Sequence, residues 1–139
     1  MTEAGFVLAH VSDPHLTGLD RVRTRELLNK RLLGYGSWRR HRRREHRPEV
    51  LAALVSDLHR AAPDHTAITG DLTHLGTPAE FREAADWLRR LGEPSDITLV
   101  PGNHDLYVPE PWTETLALWE PYLASDPGIG RNPAPAGFP

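Results

Sequence analysis

The chain contains no cysteine. That excludes disulfides, thiolate metal sites and a cysteine nucleophile, and it is compatible with a reducing compartment. No run approaches the roughly 20 apolar residues of a membrane span. The opening Met1-Thr2-Glu3-Ala4 lacks positive charge and the apolar run behind it is only a strand long, so no secretory signal is read there. A cytoplasmic protein without a transmembrane segment is expected. P-loop, Gly-x-Ser-x-Gly and dinucleotide fingerprints are all missing, as are internal repeats. Nothing predicts sequence-specific contact with nucleic acid. Lysine is nearly missing too: Lys30 is the single exception among sixteen basic residues, the rest being arginine. Arginine suits planar, bidentate contact with phosphate or carboxylate.

What is present suffices for one domain with a real core: 139 residues, 39% hydrophobic and 25% charged. The net charge of −3 hides an asymmetry. Residues 21–47 carry eleven Lys/Arg against two acids, a local +9, whereas the rest carries five basic and seventeen acidic residues, a local −12. The Arg-rich stretch is expected to be a surface excursion. A solvated face is the plainer role for it and anion guidance the sharper one.

Apolar periodicity predicts strands over 6–12, 65–69 and 97–101 and helices over 20–33, 48–61, 77–91 and 112–120. The first helix is expected to stop before Gly34-Tyr35-Gly36, and Pro121 to break the last. Thr77-Pro78-Ala79-Glu80 reads as a capping box with Pro at the first helical position. The run over 6–12 is continuous enough for a strand buried on both faces, with His10 a core histidine. Residues 126–139, rich in Pro and Gly, read as a loop or truncated tail. Strands alternating with helices predict an α/β fold with a mostly parallel sheet, whose ligands bind beyond the carboxyl ends of the strands.

Those ends carry the chemistry. The first strand runs into Asp13-Pro14-His15, the second into Gly70-Asp71 and the third into Gly102-Asn103-His104-Asp105. Asp13 and His15, two apart in an extended chain, would point the same way. Oxygen and imidazole donors without thiols suit divalent ions from Mg²⁺ and Mn²⁺ to Fe²⁺ and Zn²⁺. One ion could take Asp13, His15 and Asp71, and a second could share Asp71 and take Asn103. His104 would then face the reacting group, and Asp105 could fix its tautomer or raise its basicity. His74 is read as a solvent-facing loop residue, with reach to the site as the alternative, and His41, His46 and His59 as solvated.

In this order after successive strands, Asp13-x-His15, Gly70-Asp71 and Gly102-Asn103-His104-Asp105 resemble the first three signature blocks of the calcineurin-like metallophosphoesterases. The stretch from Thr69 to Asp105 resembles the branch containing class III cyclic-nucleotide phosphodiesterases. The resemblance implies an α-β-β-α sandwich and a two-metal hydrolase of phosphomono- or phosphodiesters using Mn, Fe, Zn or similar ions. It implies Asp13, His15, Asp71 and Asn103 as metal ligands and His104 as the residue that stabilises the transition state or protonates the leaving group. The family also has a later isolated His and a Gly-His-x-His block, whereas no histidine follows His104 here. Residues 1–125 are therefore expected to form the N-terminal part of such a domain, impaired alone, with a missing C-terminal half or self-association to complete it. The alternative is a non-catalytic or partner-dependent fragment that binds metal weakly.

Overall fold

The computed structural model describes residues 5–16, 19, 31–37 and 48–124. Three parallel strands form its centre: β1 (Leu8–Ser12), β2 (His65–Thr69) and β3 (Ile97–Val100), in the order β1-β2-β3. Val11 pairs with Ile68, and Ile68 with Leu99, so the apolar positions of all three strands form one row. Among the described residues four α-helices accompany them: α1 (Arg31–Ser37), α2 (Pro48–Ala61), α3 (Pro78–Leu91) and α4 (Glu120–Leu123). The fold is α/β with a parallel sheet, as periodicity predicts. No helix among the described residues is long and apolar enough to cross a membrane.

The core lies on one face of the sheet. Ile68, Ile97 and Leu99 pack there with Phe81, Ala84, Ala85, Leu88 and Leu91 of α3 and with Leu116, Trp119 and Tyr122, while Val55 and Leu58 of α2 border the cluster. Helix α3 has the expected capping box. The Thr77 hydroxyl accepts from the Glu80 amide, the Glu80 carboxylate accepts from the Thr77 amide, and Pro78 costs no hydrogen bond in the first turn.

Four expectations change. β1 is not buried on both faces: Leu8, His10 and Ser12 are exposed, because the described helices cover only the side carrying Val11. His10 bonds Thr69 Oγ1 at 2.7 Å on that open face and is no core histidine. The first helix does not stop before Gly34 but runs through both glycines to Ser37. At Gly34 a side chain would meet Leu75 Cδ2 at 2.8 Å, so that glycine permits close packing instead of ending a helix. The stripe over 112–120 is not one helix. It is two 3₁₀ turns, Trp112–Glu114 and Leu116–Trp119, followed by α4, where Pro121 sits in the first turn. Residues 20–30, most of the Arg-rich stretch with His41 and His46, and the tail from 125 lie outside the described residues.

Arg31 shows why α1 is placed where it is. Its guanidinium is buried and donates to the carbonyls of Leu75 (2.9 Å) and Gly76 (2.5 Å) and to Glu110 (2.6 Å). It belongs to the basic stretch by sequence, yet it is a structural anchor.

Candidate active site

Beyond Ser12, the backbone follows the loop after β2. Asp13 donates its amide to Thr69, His15 to Asp71 and Leu16 to Leu72. Asp13 and His15 both take left-handed backbone angles, φ 47° and 43°, so the chain here is not extended as spacing suggested. Non-glycine residues in that region cost about 1–3 kcal/mol each and persist where their surroundings dictate them.

Two glycines make room for carboxylates. A side chain on Gly70, at φ +85°, would meet Asp13 Oδ1 at 2.6 Å, and one on Gly102 would meet the Asp71 amide nitrogen at 2.5 Å and run into its carboxylate. Asp71 is buried. Its Oδ1 accepts the His104 amide at 2.7 Å, and its Oδ2 lies 4.0 Å from His15 Nε2. Asp13 accepts from the Ser12 hydroxyl, and Asn103 is exposed in the turn after Gly102.

Three imidazoles gather here. The rings of His15 and His74 stack at 4.6 Å and 4°, and His104 stands edge-on to His15 at 5.3 Å. His74 is buried among them, contrary to its reading as a solvent-facing residue. The signal that could have found it was its place three residues after Asp71, on the loop that carries that ligand. His15 Nδ1 lies 3.0 Å from the Thr73 carbonyl, and His104 Nδ1 lies 2.7 Å from the His74 carbonyl. A carbonyl only accepts, so both Nδ1 atoms carry protons and each Nε2 is turned to other uses.

Asp105 does not touch the His104 ring as expected; the His74 carbonyl holds that ring instead. The buried Asp105 carboxylate accepts the amides of Thr73 (2.8 Å), Gly102 (3.0 Å) and Leu72 (3.1 Å) and the Thr73 hydroxyl (2.8 Å). Burial pushes its pKa above the ordinary carboxylate value, and those donors pull the other way. Asp105 thus ties the loop after β2 to the loop after β3.

The donor set suits a divalent ion. Asp71 Oδ2 and His15 Nε2 lie 4.0 Å apart, an oxygen and an imidazole nitrogen of the kinds that divalent ions take as ligands. Among the described residues no group of three His, Asp or Glu converges as a ready-made ligand set, so Asp13 does not join that pair as it stands.

The calcineurin-like phosphoesterase family model matches residues 6–133. A probable cyclic nucleotide phosphodiesterase of Synechococcus sp. is 38% identical over 63 residues, 45% of this chain and 23% of the relative. A cAMP/cGMP dual specificity phosphodiesterase of Mycobacterium tuberculosis is 35% identical over 108 residues, 72% of this chain and 27% of the relative. The chain spans about a quarter of the length of these curated relatives. Members of the family generally use divalent metal ions. With nearly its whole length matched, and with its Asp, His and Asn residues gathered at the carboxyl ends of parallel strands, this chain belongs to the calcineurin-like phosphoesterase family.

Proposed function

We propose that residues 1–125 form the N-terminal part of a metal-dependent phosphoesterase domain whose site hydrolyses a phosphodiester. The observation that carries this reading is the junction of Asp71, His15 and His104: a carboxylate and an imidazole nitrogen 4.0 Å apart, with the amide of His104 bound to the same carboxylate. The relatives' names favour a cyclic nucleotide as substrate class.

Asp71 and His15 would hold a first ion, with Asp13 joining them from beside Gly70, and Asn103 with Asp71 would contribute to a second. When bound, such ions neutralise charge on the phosphate and make water nucleophilic near neutral pH. In hydrolysis the phosphorus gains a bond to the water oxygen and loses its bond to the ester oxygen. His104 serves the departing side. Its Nδ1–H is fixed on the His74 carbonyl, so in the imidazolium form Nε2 is the atom that would carry a proton to the ester oxygen. The ring would then be reprotonated from solvent, which takes up the proton released by the attacking water.

The test is hydrolysis of bis(p-nitrophenyl) phosphate and of cAMP by the purified chain with Mn²⁺. Turnover that needs Mn²⁺ and disappears in Asp71→Ala is expected. Turnover indifferent to chelator or to that substitution would overturn the reading. One observation favours a second reading, a partner-dependent or non-catalytic fragment that holds metal weakly: within the described residues His15 and Asp71 face each other without a converged third ligand. Weak Mn²⁺ binding with no turnover of either ester is its signature.

A further inference from the structure

The loop between β2 and α3 divides its hydrogen bonds by side. Its amides go to two buried carboxylates: those of Leu72 and Thr73 to Asp105, and those of His74, Leu75 and Thr77 to Glu80. Its carbonyls from Thr73 to Gly76 receive His15, His104 and Arg31.

The pairing holds within single peptide groups. The Thr73–His74 peptide donates its N–H to Glu80 Oε1 at 2.7 Å and accepts His15 Nδ1 on its carbonyl at 3.0 Å. The next peptide, His74–Leu75, donates its N–H to both Glu80 oxygens at 3.3 Å and accepts His104 Nδ1 at 2.7 Å. One carboxylate, only 3% exposed, is therefore one peptide group away from each site imidazole. An anion on the N–H side polarises a peptide and strengthens its carbonyl as an acceptor. A strong acceptor on Nδ1 fixes the ring and makes Nε2 more basic, as a carboxylate does when it bonds a metal-bound histidine directly.

A capping box does not explain these bonds. It requires Glu80 to reach only the Thr77 amide, which it does at 2.9 Å. The bonds to His74 and Leu75 lie outside the helix.

We propose that Glu80 is a positioning residue for both His15 and His104, setting the tautomer of the two imidazoles through two consecutive peptide groups. The proposal rests on the reading of those histidines as site residues. Its test, however, needs neither metal nor substrate, so failure of the phosphoesterase reading would leave these measurements standing.

The experiment is long-range ¹H–¹⁵N correlation of the imidazoles in the metal-free, ¹⁵N-labelled chain at about pH 8, where an unperturbed histidine is neutral. In the wild type, His15 and His104 are expected with protonated Nδ1 and bare Nε2. In Glu80→Gln, which keeps a cap-competent side chain but removes the charge, both rings are expected to shift toward the Nε2–H tautomer. Thr77→Ala removes the helix cap and the hydroxyl's own bond to Glu80 Oε2 at 3.0 Å, but keeps the carboxylate's charge and the amides of His74 and Leu75 that donate to it. It should lower the melting temperature and leave both tautomers in place. Unchanged tautomers in Glu80→Gln, or an equal shift in Thr77→Ala, would overturn the proposal. The wild type supplies a check that no variant can spoil: the His74 amide proton should be far downfield and slow to exchange, and a random-coil shift there overturns the relay.

Discussion

At Gly102 a Cβ would stand 2.5 Å from the Asp71 amide nitrogen, nearer than a carbon can approach, and it would also press on the carboxylate. Gly102→Ala is therefore expected to displace Asp71, and with it the amide bond from His104. The expected cost is about 1–3 kcal/mol of stability, as for other overpacked sites. Urea denaturation measures the stability and calorimetric titration the accompanying fall in Mn²⁺ affinity; wild-type values in both would show that the loop yields freely. A second prediction concerns His104. In any form of the protein that turns over, His104→Ala should lower kcat by about 10²–10⁴-fold while metal content by elemental analysis stays near wild type. Metal loss would mean that His104 is a ligand. At this scale the sequence was readable for position: Asp71 and Asn103, each a polar residue after glycine at the end of an apolar run, do lie just beyond the ends of β2 and β3. It was misleading at Asp105, where adjacency suggested a partner for His104. The turn after Gly102 instead delivers that carboxylate to the amides of Leu72, Thr73 and Gly102, a contact between loops that no periodicity carries.

The elements divide by whether their signal is local. Helix α3 was readable to the residue because its cap, its first-turn proline and its apolar stripe all lie within it. Helix α1 was not, because its position depends on Arg31 reaching carbonyls more than forty residues away. Replacing Arg31 tests that dependence. Arg31→Ala leaves the carbonyls of Leu75 and Gly76 and the half-buried Glu110 without their donor, and breaking a buried pair in this way costs about 3–5 kcal/mol. Arg31→Lys should recover only part of the loss, since an ammonium cannot reproduce the fork. Leu33→Ser on the same helix, at an exposed position, should fall within about 0.5 kcal/mol of wild type. Chemical denaturation of the three variants checks the order, and an Arg31→Ala chain as stable as wild type would mean that α1 is held by something other than this anchor. The last predicted helix failed for a related reason. The stripe Trp112, Leu116, Trp119 and Tyr122 was right about burial, but burial can be met by 3₁₀ turns and a short α4 as well as by one long helix.

Among the described residues of the whole molecule, one face of the sheet is covered and the other is not. Ile68, Ile97 and Leu99 lie under α3 and the turns before α4, while Leu8, His10, Ser12, Thr98 and Val100 face outward from the described helices. Three strands with an apolar face packed against helices meet the minimum for an independently stable sheet. Ligand supply is different. His15 and Asp71 face each other at 4.0 Å, Asp13 is engaged by the Ser12 hydroxyl, and Asn103 brings a neutral amide. Strong binding of two ions would ask the chain for more charged ligands than these. The expected behaviour of the 139-residue chain is thus one weak Mn²⁺ binding event by calorimetry, lost in His15→Ala and strongly reduced in Asp71→Asn. Asp13→Asn should weaken it less, because a ligand not yet facing the pair contributes less to the first capture. Hydrolysis of bis(p-nitrophenyl) phosphate should be slow, dependent on Mn²⁺ and abolished by chelator. Tight binding of two ions with rapid turnover would overturn this ordering, and His74, already stacked on His15, would be the first residue to examine as a further ligand.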